Sequence, residues 1–183
     1  MAVLEVLRMG HPVLRQAARK VEPGEMLGAE IQGLIQNMLE TMVAHGGIGI
    51  AAPQVGASLQ LAIIDLKNSD PAFAKHYGAP MEVFFNPEIE VLDAAPQAYW
   101  EGCLSVPGLR GEVERPRKIR VKFYDSEAKP QELIAEDFMA TVFQHEFDHL
   151  YGTLYIDRIK DTKKLSYLEE FSRYWAMGDT KEV

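Results

Sequence analysis

The segment His145-Glu146-Phe147-Asp148-His149 places two histidines four residues apart, with a glutamate directly after the first. Side chains four apart on an α-helix lie on the same face, one turn above the other, so both imidazoles can bind one metal ion. Glu146 can then act as the general base toward a water that the metal activates, which is the mechanism behind the H-E-x-x-H pattern. The pattern favours a metal-dependent hydrolase. The alternative is a helix with two partly buried histidines and solvated acids.

The length and composition of the chain are those of a single soluble domain covering residues 1–183. No apolar run is long enough to span a membrane, and the first residues lack the layout of a secretory signal, so we predict a cytoplasmic protein. One cysteine, Cys103, excludes a disulfide within the chain and suits a reducing compartment.

The formal charge of −8 argues against general nucleic-acid binding, which needs a basic face. The chain has one local basic strip, and we predict that its members are the outward residues of a strand. This strip consists of Arg115, Arg117, Lys118, Arg120 and Lys122.

Three regions have the apolar spacing of helices. The first covers residues 26–45, where Gly46 and Gly47 are suited to end the helix. Its predicted buried stripe is Leu27, Ile31, Leu34, Ile35, Met38, Met42 and Val43. The motif helix is predicted to begin at Asp137 and to end at Gly152, with Phe138 and Val142 on the histidine face. A terminal helix is predicted within 161–175, on the spacing of Leu165, Leu168, Phe171 and Trp175.

Strands are predicted at residues 60–65, 82–85, 88–92 and 118–125, and residues 68–80 are predicted to form a long surface loop. In the last strand Ile119, Val121 and Phe123 alternate with polar or amphipathic residues, which is the period of a half-buried strand. We therefore predict an α+β fold: mainly antiparallel β-sheets packed around a central helix carrying H-E-x-x-H, with N-terminal and C-terminal helices.

A catalytic zinc-type site usually has three protein ligands, so the two histidines need a third. Tyr155 stands where one group of metalloproteases has its third histidine, and Glu169 stands where another group has a glutamate. Cys103 is the preferred candidate, because a thiolate is a strong, soft ligand and the segment 101–107 around it is compact. A buried structural cysteine or a cysteine nucleophile remains an alternative.

The segment Gly47-Ile48-Gly49-Ile50-Ala51-Ala52-Pro53-Gln54-Val55-Gly56 is rich in glycine and alanine, which permit a substrate backbone to approach closely. The Gln54 amide can donate to an oxygen that gains charge during attack. A loop that only ends a helix would also contain glycine.

Taken together, GIGIAAPQVG, EGCLSVP and QHEFDHL, in this order, resemble the three motifs of the peptide deformylase family. The resemblance implies removal of the formyl group from the N-terminal formyl-methionine of nascent proteins, with release of formate. It implies that Cys103, His145 and His149 hold one divalent metal ion. Fe(II) is then the physiological ion, and Zn(II), Ni(II) or Co(II) can replace it.

By the same resemblance, Glu146 moves the proton, and Gln54 together with the Leu104 backbone N–H stabilises the oxyanion. The Gly49 backbone is expected to hydrogen-bond the substrate near its formyl group. The other substrate-binding residues expected by analogy are Ile48, Ile50, Phe138 and Val142 around the methionine side chain, Arg110 at the pocket mouth, and Glu101. Trp100 is expected to be either a pocket wall or packing.

The resemblance further implies a monomer with transient ribosome contact and no membrane association. Some members of the family dock through a basic C-terminal helix. Here Lys160, Lys163 and Lys164 are offset by four neighbouring acids, which argues against that route. These acids are Asp157, Asp161, Glu169 and Glu170.

Overall fold

A computed structural model describes residues 2–65 and 82–176 of the chain. The helices are α1 (Pro23–Met26), α2 (Ala29–Ala44), α3 (Asp137–Asp148) and α4 (Leu168–Tyr174). The strands are β1 (Gly49–Ala51), β2 (Leu61–Ile64), β3 (Glu82–Cys103), β4 (Val106–Tyr124), β5 (Pro130–Glu136) and β6 (Leu165–Tyr167). Short 3-10 turns cover Pro12–Arg15, Ala52–Val55, Tyr155–Arg158 and Thr162–Lys164.

The six strands form one antiparallel sheet in the order β1-β2-β3-β4-β5, with β6 added to β4. Helix α3, which carries the two histidines, contacts each of the first five strands. The predicted α+β class with a mainly antiparallel sheet is confirmed. No described helix combines the length and the apolar character needed to cross a bilayer.

Strands β1 and β2 and the start of β3, residues 83–85, are buried on both faces, between α2 and α3. Ala51, Ala62 and Phe84 face the cluster that packs on α3, where Phe143 and Phe147 lie. Their chain neighbours Ile50, Leu61, Ile63, Val83 and Phe85 face the opposite cluster, with Ile35, Met38 and Met42 of α2. The alternation of strand side chains therefore divides the core into two layers.

The helix predicted at residues 26–45 is confirmed as α2, although it begins at Ala29, after the separate short helix α1, and Gly46 follows its end with a φ of 65°. The outermost members of the predicted stripe are wrong, because Leu27 and Val43 are exposed. Leu27 lies between α1 and α2, and Val43 lies one position beyond the buried Met42 in the last turn of α2, on the side that faces solvent.

The strands predicted at 60–65 and 118–125 are confirmed as β2 and the end of β4, with Ile119 and Val121 fully buried. The two separate strands predicted at 82–85 and 88–92 are wrong, since both belong to β3. The Asn86-Pro87 break is an irregularity in register, not an end, because the Asn86 side chain bonds both backbone groups of Val21 at 2.8 Å.

The motif helix begins at Asp137 as predicted but ends at Asp148, before Gly152. The single terminal helix predicted within 161–175 is wrong. Its first part forms a 3-10 turn and then strand β6, whose residues pair with 109–111 of β4, so that only Leu168–Tyr174 is α-helical. The predicted loop at 68–80 lies outside the described residues.

We predict that Gly152→Ala destabilises the protein. Gly152 has a φ of 71°, and a Cβ there would lie 2.6 Å from the Arg15 carbonyl carbon. We expect the loss to be about 1–3 kcal/mol of unfolding free energy, measured by urea denaturation. Gly33→Ala is the control: it lies on α2 with no atom within 4 Å of the added Cβ, and should stabilise by about 1 kcal/mol. Equal stabilities for the two variants would contradict this account.

Candidate metal centre

Three metal-ligating side chains meet where β3 ends against α3. Ligand atoms of Cys103, His145 and His149 all lie within 4.8 Å of one another. The Cys103 Sγ is 3.3 Å from His149 Nε2. Donors that share one tetrahedral zinc-type ion are spaced about 3.3–3.6 Å apart, so this cluster fits a single cation with little rearrangement. Glu169, the alternative third ligand, is exposed on α4 and does not belong to the cluster.

The His145 ring is oriented by a buried carboxylate. Its Nδ1 lies 2.7 Å from Glu101 Oε2, so Nδ1 carries the proton and Nε2 presents its lone pair to the cluster. Glu101 is held in turn by Arg115, whose Nε and Nη2 donate to its two oxygens at 2.6 and 3.0 Å. Arg115 Nη1 also donates to Asp148 at 2.8 Å.

Arg115 corrects one sequence-based prediction. It was grouped with outward-facing basic residues, yet it is only 3% exposed. It lies an even number of residues from the buried Val113, Ile119 and Val121, and such residues share one face of a strand. The alternation along β4 could therefore have placed Arg115 inside. Glu101, which the sequence predicts to bind substrate, borders the cavity described below, and its carboxylate pairs with His145 and Arg115.

The charges around the cluster suit a cation. Burial alone would raise the pKa of the Cys103 thiol, but His149 and His145 beside it outweigh burial and lower that pKa well below its usual value. Burial would also raise the pKa of Glu101, but hydrogen bonds from His145 and Arg115 outweigh it and lower that pKa. A thiolate with two imidazoles is a donor set that suits Fe, Zn, Ni or Co, and a divalent ion would replace protons that these groups share.

Glu146 lies directly against Gly49. A Cβ on Gly49 would collide with the Glu146 carboxylate, so only glycine lets the acid reach this place. Burial raises the pKa of Glu146, and its Oε2 has no hydrogen-bond partner among the described residues. A buried carboxylate with a free oxygen and a raised pKa can accept a proton from a water and pass it on.

The Gln54 side chain is fixed with its amide nitrogen toward the cluster. The Ala51 N–H donates to Gln54 Oε1 at 2.8 Å, which orients the amide group. Gln54 Nε2 lies 3.4 Å from Cys103 Sγ and 3.2 Å from Ser105 Oγ. The donor is therefore preorganised beside the metal cluster, where it can stabilise negative charge.

A cavity of about 1270 Å³ opens beside the cluster. Most residues predicted from the sequence to bind substrate line it, namely Ile48, Gly49, Arg110, Phe138, Val142 and also Leu104. Ile50 is not brought to the cavity: it is fully buried in the α2 layer, on the opposite side of β1 from Ala51.

Two parts of the cavity wall were not fully foreseen. The N-terminal segment 3–8 lines the cavity and is tied to it by bonds from Leu7 N to Gln54 O and from Met9 N to Ser105 O. An extended segment without periodicity gives no sequence signal for this role. Trp100 is both wall and packing, since it lines the cavity while its ring contacts Phe171 and Trp175.

The sequence of this chain is similar to those of known deformylases. Residues 3–165 match the family profile described as polypeptide deformylase. A peptide deformylase of Leptospira biflexa is 42% identical over 170 residues, which are 93% of this chain and 95% of that protein. Peptide deformylase 2 of Pseudomonas syringae pv. tomato is 43% identical over 91% of this chain and 93% of its own length.

Solved structures give the same result. The actinonin complex of a peptide deformylase from Synechococcus elongatus superposes with a TM-score of 0.77 at 37% identity, covering 93% of this chain and 85% of that one. The Met-Ala-Ser-bound class I type b peptide deformylase of Acinetobacter baumannii has a TM-score of 0.78 at 36% identity, covering 86% of this chain and 98% of that one.

Arg115→Met is predicted to weaken both the fold and the metal site. Glu101 would lose two hydrogen bonds while staying buried, which typically costs about 3–5 kcal/mol of unfolding free energy. We expect metal affinity to fall about 10–100-fold, because His145 loses its fixed orientation. Urea denaturation and competition with a chelator measure the two effects.

The control is Arg117→Met, which removes an exposed pair with Asp137 and should change stability by less than about 1 kcal/mol. If Arg115→Met fails to fold, Arg115→Lys keeps the charge without the fork and should show a smaller loss of affinity. Wild-type affinity in a folded Arg115 variant would refute the orienting role.

Proposed function

This chain belongs to the polypeptide deformylase family, and we propose that three of its side chains, Cys103, His145 and His149, hold the metal ion of that family's reaction. The enzyme is a metal-dependent hydrolase that removes the formyl group from the N-terminal formyl-methionine of nascent proteins and releases formate. The meeting of a buried thiol and two imidazoles beside an open cavity is the observation that carries the proposed ligand set.

For the metal itself we propose Fe(II) in the cell, with Zn(II), Ni(II) or Co(II) able to occupy the same ligands. One thiolate and two neutral imidazoles form a mixed soft and borderline set that these divalent ions share. When bound, the ion acts as a Lewis acid that activates water and polarises the formyl carbonyl.

Glu146 is proposed to move the proton. Its carboxylate accepts a proton from the attacking water and returns it to the amine that leaves when the formyl C–N bond breaks. The raised pKa supports this role, because an acid that holds its proton closer to neutral pH can both accept and release it. Its contact with Gly49 keeps the carboxylate at the cavity wall.

Gln54 and the Leu104 backbone N–H are proposed to stabilise the oxyanion that forms on the formyl oxygen. Gln54 supports this with an amide nitrogen fixed beside Cys103, and Leu104 follows Cys103 in the chain and borders the cavity. Each preorganised donor of this kind can lower the barrier by about 3–4 kcal/mol.

The methionine side chain is proposed to occupy the apolar part of the cavity between Ile48, Phe138 and Val142. Gly49 would bind the substrate backbone, and Arg110, which lies over Gly102, would stand near the peptide beyond the methionine. The Met-Ala-Ser complex of the related Acinetobacter baumannii enzyme supports a peptide with N-terminal methionine in this cavity.

We further propose one catalytic domain over residues 1–183, acting as a cytoplasmic monomer. Strands from early and late in the chain join one sheet, which supports a single unit. Ribosome contact is proposed to be transient and not to use α4 as a basic helix, because Arg173 there is paired with Glu170 and Glu169 lies beside them.

Glu146→Gln is predicted to keep the metal but to lose turnover by about two to four orders of magnitude, because the amide cannot accept the proton. Formate released from formyl-Met-Ala-Ser and the metal content of the purified protein are the measurements. Cys103→Ala is predicted to lose most of the bound metal. Glu169→Gln, an exposed acid on α4, is the matched control and should change neither. Near-normal turnover in Glu146→Gln would remove its role as base.

Activity of the Fe(II) form is predicted to decay in air, while the Ni(II) form persists. Ferrous iron and its thiolate ligand both react with oxygen species, whereas nickel remains divalent. Formate release is followed over time in aerobic samples of both forms, and anaerobic samples of each serve as controls. Equal aerobic decay of the two forms would contradict the proposed iron–thiolate pairing.

A further inference from the structure

We propose that Arg158 is a positioning residue for the metal centre. It ends the 3-10 turn Tyr155–Arg158 and reaches back to Asp148, the residue before His149. Arg158 Nε and Nη2 donate to the two oxygens of Asp148, each at 2.5 Å. The inference rests on the ligand set proposed above, and it assigns a role to a surface arginine that does not line the cavity.

The two-point contact fixes the plane of the Asp148 carboxylate. Asp148 Oδ2 accepts from Arg158 and also from Arg115 Nη1, the latter at 2.8 Å. Because Arg158 holds both oxygens, the carboxylate cannot rotate, and Oδ2 stays directed at Arg115. Without Arg158, the Asp148 side chain, which is 12% exposed, would be held only by the single bond from Arg115 and could turn its other oxygen toward water.

Arg115 passes this constraint to a metal ligand. Two of its nitrogens bond Glu101 and the third bonds Asp148, so the contact with Asp148 defines how the guanidinium is tilted over Glu101. Glu101 then sets the His145 ring through a 2.7 Å contact with Nδ1. A change in the tilt of Arg115 therefore alters the direction in which His145 presents Nε2.

Charge alternates along these contacts, and the outermost group is the most exposed. Glu101, Arg115, Asp148 and Arg158 alternate in sign, with side-chain exposures of 5%, 2%, 12% and 46%. The three inner groups carry two negative charges and one positive charge, and Arg158 balances them. Its loss would leave an extra negative charge competing with Glu101 for Arg115.

A neighbouring ion pair offers a matched control. Arg15 pairs with Asp157, one residue before Arg158 in the same turn, and both side chains are exposed to a similar extent. Within the described parts of the chain, Arg15 forms no hydrogen bond or ion pair with Asp148, Arg115 or Glu101. Removing Arg15 therefore tests anchoring of the turn alone.

The experiment measures how fast nickel leaves the Ni(II)-loaded full-length protein in the presence of a chromogenic chelator. We expect Arg158→Gln to release nickel roughly 3–10-fold faster than wild type, a smaller change than removal of a direct partner of a ligand. Arg158→Lys, which keeps the charge without the fork, should lie between the two. Arg15→Gln should match wild type, and Cys103→Ala is included to test the ligand set.

Equal nickel release rates for Arg158→Gln and Arg15→Gln would overturn the proposal. If Arg158→Gln does release nickel faster, an Arg158→Lys variant that releases it equally fast would also overturn the proposal. If Arg158→Gln does not fold, an Arg158→Lys variant that matches wild type overturns it, and one with faster release supports it. If Cys103→Ala holds nickel like wild type, the ligand set itself is wrong and this inference is lost with it. Loss of nickel there, with normal release from both Arg158 variants, would refute only the positioning role.

Discussion

The contact between Glu101 and His145 is the point at which the fold and the metal centre depend on each other. Glu101 belongs to β3 and His145 to α3, so one 2.7 Å hydrogen bond joins the sheet to the helix that it encloses. Cys103 lies two residues further along the same strand, on the same face as Glu101. A strand that supports one proposed ligand through its carboxylate and supplies another through its thiol fixes the spacing of both.

Much of this arrangement could be predicted from local patterns. Period-two alternation located the end of β4, and three- and four-residue spacing located α2, because both elements bury one face against the core. The H-E-x-x-H spacing and the isolated cysteine named the cluster that the structure brings together. In each case the relevant information lies within a few residues of the chain.

The errors arose where a distant partner overrides the local pattern. Asn86-Pro87 has the sequence of a strand end, but the Asn86 side chain bonds Val21, 65 residues away, and β3 continues through it. Leu165 had helical spacing with Leu168, yet the open edge of β4 captures it as β6. The charge of Arg115 predicted a surface position, but the carboxylates of Glu101 and Asp148, more than ten residues away in sequence, hold it inside.

The same polar groups also explain why the centre needs a cation. Within a small volume the chain buries a thiol whose pKa is lowered, the carboxylate of Glu101, and the carboxylate of Glu146, whose pKa is raised because burial disfavours its charge. Arg115 offsets the negative charge of Glu101, and the imidazoles are neutral when they act as ligands. A divalent ion beside Cys103 offsets what remains, so metal binding and folding stability are thermodynamically linked.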